Sequence, residues 1–155
     1  MITIIYIAAI CAANLLVAKL GPWVTPINAF FLVGLDMVLR DFLHERYGIA
    51  CSLLLSVVAG LISYFINPAS GVIAIASVVA FIAAALVNAL VYQWLIDKPW
   101  LKKSNAGNVA AAAVDSMLFP LIAFGAFMPV IIAAQFICKT LGGALWSWML
   151  KGVKR

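Results

Sequence analysis

Residues 71–96 of the chain read GVIAIASVVAFIAAALVNALVYQWLI, and this stretch decides the fold. It contains no Asp, Glu, Lys or Arg. It is also long enough to cross the hydrocarbon core of a bilayer, which takes about 20 residues of α-helix. The stretch therefore predicts a membrane-spanning helix.

The composition of the whole chain is that of a membrane protein. Hydrophobic residues occupy 67% of the 155 positions and charged residues 10%, and the mean hydropathy is +1.18. A soluble domain has about 45–50% apolar and about 25% charged residues. The composition excludes a soluble enzyme, a disordered chain and a secreted disulfide scaffold. The three cysteines lie apart in apolar stretches, where each fits a small buried hydrophobe.

Five further apolar stretches flank residues 71–96. The six predicted spans cover about residues 2–20, 26–47, 49–66, 71–96, 107–127 and 129–150. Residues 97–105 form the one clearly polar connection. Six spans of about 20 residues use most of the chain. We therefore expect an all-α integral membrane protein with a single transmembrane domain, residues 1–155.

The basic residues favour an even number of spans. With six spans, the side that holds both termini collects Arg46, Lys98, Lys102, Lys103, Lys151, Lys154 and Arg155. The other side has only Lys19. Because cytoplasmic loops carry the excess of Lys and Arg, we expect a cell (inner) membrane protein with both termini in the cytoplasm. The same distribution explains the net charge of +5 without a nucleic-acid partner.

A weak internal repeat relates the two halves of the chain. The polar positions of the first half are Asn14, Asn28 and Asp36, and those of the second half are Asn88, Asn108 and Asp115. Each half would hold three helices, so the halves would cross the membrane in opposite senses. Inverted three-helix repeats of this kind place a substrate site where the halves meet, near the middle of the membrane.

Four ionisable side chains fall within the predicted spans: Asp36, Arg40, Asp115 and Lys139. Each costs roughly 2.5–3.5 kcal/mol at the centre of a helix on insertion scales, so these groups must pair with each other or face a polar cavity. Asp36 and Arg40 are four residues apart and share a helix face, as do Gln135 and Lys139. We expect one shared cavity. Purely structural ion pairs and a protonated aspartate remain the alternatives.

Motifs for catalysis and metal binding are absent from the sequence. The single histidine, His44, rules out a paired-histidine metal motif and lies in the second span, where we interpret it as an interfacial residue. There is no Ser-His-Asp set and no Gly-rich phosphate loop. We therefore expect no enzyme, no metal and no cofactor. Asp41, Glu45 and Arg46 are interpreted as a solvated helix end.

Several short motifs resemble a known family. They are ANLLVAK at residues 13–19, NAFFLVGLD at 28–36, RDFLHE at 40–45, AVDS at 113–116 followed by Phe119, and FICK at 136–139. In this order they resemble the VUT (putative vitamin uptake) family, whose characterised members are queuosine precursor transporters. The resemblance covers nearly the whole chain.

The resemblance implies uptake of a 7-deazaguanine base, such as 7-cyano- or 7-aminomethyl-7-deazaguanine. A guanine-like edge offers two parallel donors that a carboxylate, Asp36 or Asp115, can accept. The opposite carbonyl needs a donor, and an aromatic ring can stack on the base. The substrate-binding residues that we predict are Asp36, Asp115, Lys139, Arg40, Asn14, Asn28, Gln135, Phe31 and Phe119.

Two other functions remain open. The first is a substrate-capture membrane subunit for another vitamin-like heterocycle, which would need a separate energising complex. The second is an intramembrane enzyme that uses Asp36 and Asp115 as an acid and base pair. For a transporter, proton coupling and facilitated diffusion both fit the sequence. Small residues on the helix faces permit a homodimer in the lipid bilayer.

Overall fold

The computed structural model describes residues 2–154, which form six long helices and no strand. Their bounds are α1, Ile2–Leu20; α2, Pro22–Tyr47; α3, Ile49–Ile66; α4, Gly71–Trp94; α5, Trp100–Phe124; and α6, Pro129–Leu150. Short 3-10 turns at Pro68–Ser70 and Lys151–Lys154 precede α4 and follow α6. The prediction of an all-α, six-helix protein is confirmed.

The helices have the length and polarity of membrane spans. α1, α2, α4, α5 and α6 are each long and apolar enough to cross a bilayer, and α3 contains a shorter apolar helix at Ala50–Ile66. Large apolar side chains are exposed on the outside of the bundle, among them Leu54, Phe65, Leu90 and Val130. This outer surface suits contact with lipid, where apolar side chains carry no penalty. The protein is a multi-pass membrane protein.

The bounds of α5 differ most from the prediction. The helix begins at Trp100 rather than near residue 107, and it ends at Phe124 rather than 127. Pro99 stands directly before its first turn, where the missing N–H of proline removes no helical hydrogen bond. Gly125 then ends the helix in the left-handed conformation, with φ of 64°. Most of the predicted polar connection is therefore helical.

α2 is not a uniform α-helix. It begins as a 3-10 turn over Pro22–Val24, continues as α-helix over Thr25–Asn28, and widens to a π-helix over Ala29–Val33. Regular α-helix resumes over Gly34–Tyr47. A π-helical turn holds more residues than an α-helical one, so it changes which side chains face inward along α2.

The backbones of α2 and α6 approach each other closely. A Cβ added to Gly142 would collide with the Phe30 carbonyl oxygen, and one added to Gly34 would lie 2.8 Å from the Gly142 carbonyl carbon. Small residues allow such packing between membrane helices. We call this contact, formed by Phe30, Gly34 and Gly142, the glycine seam.

The contacts between the helices define the arrangement of the bundle. α1 packs on α3 and α2, α4 packs on α3 and most extensively on α5, and α6 lies between α5 and α2. In the described chain α2 packs along α6, whereas α5 has little contact with α3. The two halves therefore pack differently, and the inverted repeat stays a prediction.

Candidate functional site

A cavity lies at the centre of the bundle, and all six helices contribute to its wall. Its volume is about 640 Å³ when the open space at its edge is included. The polar and ionisable residues in the wall are Asn14, Thr25, Asn28, Asp36, Ser56, Ser77, Asp115, Gln135 and Lys139. Apolar residues form the rest of the wall.

The cavity is displaced toward one side of the bundle. Short connections join consecutive helices, so the C-terminal ends of α1, α3 and α5 share a side with the N-terminal ends of α2, α4 and α6. We call this the distal side and the other, where residues 2 and 154 lie, the termini side. Thr25, Gln135 and Lys139 belong to the N-terminal halves of their helices, Asp36 lies near the middle of α2, and Asp115 belongs to the C-terminal half of α5. The cavity therefore occupies the middle and the distal half of the protein.

Lys139 is held by a chain of polar contacts across the cavity wall. Its Nζ donates to Asp115 Oδ2 at 2.5 Å and to Gln135 Oε1 at 2.8 Å. Gln135 Nε2 donates in turn to Thr25 Oγ1 at 3.1 Å, which links α6 to the start of α2. Lys139 is 2% exposed, so the ion pair with Asp115 compensates a charge that is withdrawn from water.

Two acceptors in the wall have no hydrogen-bond donor within the described chain. They are Asp36 Oδ1 and Asn28 Oδ1, both buried on α2. Asn28 Nδ2 is satisfied by the Ala13 carbonyl oxygen at 3.1 Å, which fixes the orientation of the amide. Buried polar groups are nearly always hydrogen-bonded, so these two acceptors need donors that the described chain does not supply, from water or from a bound molecule.

The apolar wall is built from side chains of several helices. Ile10, Leu32, Val33, Phe81 and Phe119 all line the cavity. Phe119 packs edge-on against Phe124, with ring centres 6.1 Å apart. Flat aromatic and aliphatic walls with few polar groups are typical of sites for small heterocycles.

Most of the predicted binding residues meet in this cavity. Those that line it are Asn14, Asn28, Asp36, Asp115, Phe119, Gln135 and Lys139. Asn14 also donates from Nδ2 to Ser63 Oγ at 3.2 Å, so it joins α1 to α3 as well. The structure thus brings together side chains from four helices, α1, α2, α5 and α6. Their role in binding stays a prediction.

Two predicted residues, Phe31 and Arg40, lie outside the cavity wall. Phe31 is 56% exposed on the outside of α2, and its carbonyl oxygen accepts from Trp146 Nε1 at 3.0 Å. The π-helical turn around Phe31 places Leu32 and Val33 inward instead. The expectation that Phe31 stacks on a ligand is therefore not supported by its position.

Arg40 lies on the termini side of the cavity. Its Nη2 donates to Asn108 Oδ1 at 3.3 Å rather than pairing with Asp36. Its guanidinium carbon lies 5.4 Å from the centre of the Phe81 ring, and Phe81 itself lines the cavity. The Phe81 ring therefore adjoins both Arg40 and the cavity, and it forms part of the cavity floor.

Asp41 is the residue that sequence reasoning placed wrongly. The interpretation as a solvated helix end is incorrect, because Asp41 is 1% exposed. It accepts hydrogen bonds from Asn88 Nδ2 at 2.8 Å, Ser104 Oγ at 2.5 Å and Asn108 Nδ2 at 3.4 Å. The polar residues Asn88, Ser104 and Asn108 in apolar helices were the available signal, since buried donors need an acceptor.

The contacts of Asp41 form one polar layer between the helices. A second polar layer, formed by Glu45, Tyr92 and Lys103, lies closer to the termini side. Glu45 forms a hydrogen bond with the Tyr92 hydroxyl and lies 3.9 Å from Lys103 Nζ. Lys103 Nζ is also 4.6 Å from the centre of the Tyr92 ring. Like the contacts of Asp41, these contacts join α2 to α4 and α5.

The cavity contains groups for holding a small organic molecule rather than a metal. In the part of the chain that the structure describes, no three His, Cys, Asp or Glu residues lie close enough to hold a metal ion. The available groups are carboxylates, amides, hydroxyls and one ammonium, set among apolar side chains. In small-molecule sites, polar groups of this kind recognise the polar edge of a heterocycle, and apolar side chains cover its faces.

Comparison with known proteins identifies one family. The family model described as "Putative vitamin uptake transporter" matches residues 2–152, which is nearly the whole chain. No curated protein and no solved structure matched the chain.

Proposed function

The chain belongs to the putative vitamin uptake transporter family, and from this premise we propose that it imports a queuosine precursor. The substrate would be a 7-deazaguanine base such as 7-cyano- or 7-aminomethyl-7-deazaguanine. The same proposal places the protein in the cell (inner) membrane with its termini in the cytoplasm, as the basic residues favour. The cavity, on the distal side, would then face the compartment from which the base is taken up.

The observation that carries the proposal is the unsatisfied pair of acceptors on α2. A guanine-like base presents a ring N–H beside an exocyclic amine, and a carboxylate can accept both. Asp36 Oδ1 has no donor within the described chain, whereas Asp115 is already paired with Lys139 at 2.5 Å. We therefore assign the base edge to Asp36 rather than to Asp115. Asn28 Oδ1 offers a further acceptor in the same wall.

The carbonyl oxygen of the base lies beside the ring N–H and needs a donor. Lys139 Nζ and Gln135 Nε2 are the donors that α6 contributes to the cavity wall. Phe119 and Phe81 supply aromatic surface for the flat faces of the ring. The proposal therefore has Asp36 accepting from the ring N–H and the amine, a donor of α6 bonding the neighbouring carbonyl oxygen, and aromatic side chains covering the base.

Thermal unfolding of the purified protein with a panel of bases tests this assignment. A ligand that binds only the folded state at 100 times its Kd stabilises it by about 2.7 kcal/mol. We expect 7-cyano-7-deazaguanine and guanine to raise the Tm. Hypoxanthine, which lacks the exocyclic amine, and adenine should raise it much less.

Two variants complete the test. Asp36→Asn keeps the size of the side chain but loses one acceptor, and it should abolish the shift with 7-cyano-7-deazaguanine. Asp97→Asn removes a carboxylate from an exposed connection and should leave the shift unchanged. Equal shifts with guanine and adenine, or an undiminished shift in Asp36→Asn, would refute the role of Asp36.

A further inference from the structure

We propose that the Asp41 cluster, formed by Arg40, Asp41, Asn88, Ser104 and Asn108, is the gate that closes the cavity on the termini side. It opens when the C-terminal half of α2 separates from the hairpin of α4 and α5. The inference rests on the proposed transport function, because a transported molecule must leave through the side opposite the one it entered.

The position of the cluster is the first argument. Arg40 and Asp41 lie in the C-terminal half of α2, Asn88 in that of α4, and Ser104 and Asn108 in the N-terminal half of α5. All these half-helices end on the termini side, and none of the five residues lines the cavity. The cluster adjoins the cavity floor through the Arg40 contact with the Phe81 ring. It therefore lies between the cavity floor and the termini side.

The polar composition of the contact between α2 and the hairpin of α4 and α5 is the second argument. In the described chain, α2 has few close backbone contacts with α5 and little contact with α4, and hydrogen bonds from Asn88, Ser104 and Asn108 to Asp41 join them. By contrast, α2 is fixed to α6 by the glycine seam, where backbones touch. α4 is fixed to α5 along its length, and Gly107 leaves room for the Asn88 side chain. The polar contact of α2 with α4 and α5 is therefore the boundary at which the helices can separate.

Incomplete hydrogen bonding within the cluster is the third argument. Arg40 Nε and Asn88 Oδ1 are buried and have no partner in the described chain. A buried network that leaves a donor and an acceptor unused is less stable than a fully satisfied one. Such a network suits an element with two arrangements, since separation of the helices would expose both groups to water.

The second polar layer reinforces the closure. Glu45 on α2 contacts Tyr92 on α4 and Lys103 on α5, one helical turn beyond the cluster. The same three helices are therefore joined twice, at Asp41 and at Glu45. Opening must break both layers, while the distal half of the protein keeps the Lys139 contacts intact.

Thiol labelling from each side of the membrane tests the gate without any substrate. Cys11, Cys51 and Cys138 are replaced by Ala, and Ser77→Cys places a single thiol in the cavity wall. A membrane-impermeant maleimide is added from the termini side or from the distal side of oriented vesicles. In this background we expect faster labelling from the distal side.

Loosening the cluster should change labelling from one side only. Asp41→Asn and Ser104→Ala each remove part of the hydrogen bonding, and we expect labelling from the termini side to rise about tenfold, a change that corresponds to about 1.4 kcal/mol. Ser70→Ala is the matched control, because Ser70 is an equally buried serine on the distal side. It should leave labelling from the termini side unchanged.

The outcomes separate the gate from the substrate proposal. If neither Asp41→Asn nor Ser104→Ala raises termini-side labelling, or if Ser70→Ala raises it as much, the gate is wrong. If the labelling changes as expected while no base shifts the Tm, the substrate assignment fails and the gate stands.

Discussion

Lys139 and Asp115 form a buried pair in which each charge depends on the other. Lys139 is 2% exposed and Asp115 18%, so removal of one partner leaves a charge with little water around it. Breaking a buried ion pair in this way costs about 3–5 kcal/mol, whereas replacing both partners can be close to neutral. The pair therefore belongs to the stability of the bundle as well as to the cavity.

We predict that Lys139→Ala lowers the Tm in detergent and that the double variant Asp115→Ala with Lys139→Ala regains most of the loss. The single variant leaves the Asp115 carboxylate uncompensated, and the double variant leaves no charge. Thermal unfolding followed by intrinsic fluorescence measures both. Asp115→Ala completes the comparison, and a double variant whose loss of stability equals the sum of the losses in Lys139→Ala and Asp115→Ala would show that the residues do not act as a pair.

Residue chemistry alone predicted much of the cavity wall. Asp36, Asp115 and Lys139 stood out because charges in apolar spans are costly, and all three line one cavity. Asp41 could not be placed in the same way. Its position at the end of a span is equally typical of a solvated acid, and only the neighbouring Asn88 and Ser104 show that it is buried.

At the scale of elements, the glycine seam sets how closely α2 and α6 approach. Gly142 and Gly143 are adjacent in sequence, yet their surroundings differ. A Cβ on Gly142 would collide with the Phe30 carbonyl oxygen, whereas the nearest atom to a Cβ on Gly143 is Asn108 Cβ at 3.9 Å. Substitution of the two glycines by alanine therefore provides a matched comparison of a close contact with an open position.

We predict that Gly142→Ala destabilises the protein by about 1–3 kcal/mol, the usual cost of overpacking, because backbone atoms cannot move aside as a side chain can. Gly143→Ala should be tolerated, with a Tm close to that of the unmodified protein. Thermal unfolding of the two variants in the same detergent makes the comparison. Equal losses in both would mean that the seam is not as close as described.

The elements also show where sequence patterns stop being informative. The bounds of α1, α3 and α6 follow directly from apolar stretches that Gly or Pro interrupts. The π-helical turn at Ala29–Val33 has no comparable signal, and it is the reason that Phe31 faces outward. The polarity of the first turns of α5 predicts a connection, but the structure shows that these polar residues are helical.

At the scale of the whole molecule, the positions of charge and cavity define two different sides. Most of the Lys and Arg residues lie on the termini side, and the cavity occupies the middle and the distal half. Hydropathy and charge predicted six spans and the two sides, since both depend only on local composition. They could not predict that the cavity lies toward the distal side, because that depends on how six helices pack.

We predict that single cysteines at the two sides are labelled from opposite faces of the membrane in intact cells. Lys98→Cys, in the connection before α5, should react only after the cells are permeabilised. Phe127→Cys, in the exposed connection before α6, should react with an impermeant maleimide from outside. The native cysteines are removed in both variants. The reverse pattern would overturn the assignment of both termini to the cytoplasm.

Transport by the purified chain alone tests the central claim most directly, because it asks whether this cavity moves a base across a bilayer without another subunit. The chain is reconstituted into liposomes, and accumulation of labelled 7-cyano-7-deazaguanine is followed against protein-free liposomes. We predict uptake that approaches equilibrium, that excess unlabelled guanine reduces, and that is lost in Asp36→Asn but kept in Asp97→Asn. No uptake above protein-free liposomes, or uptake that Asp36→Asn leaves unchanged, would contradict the account.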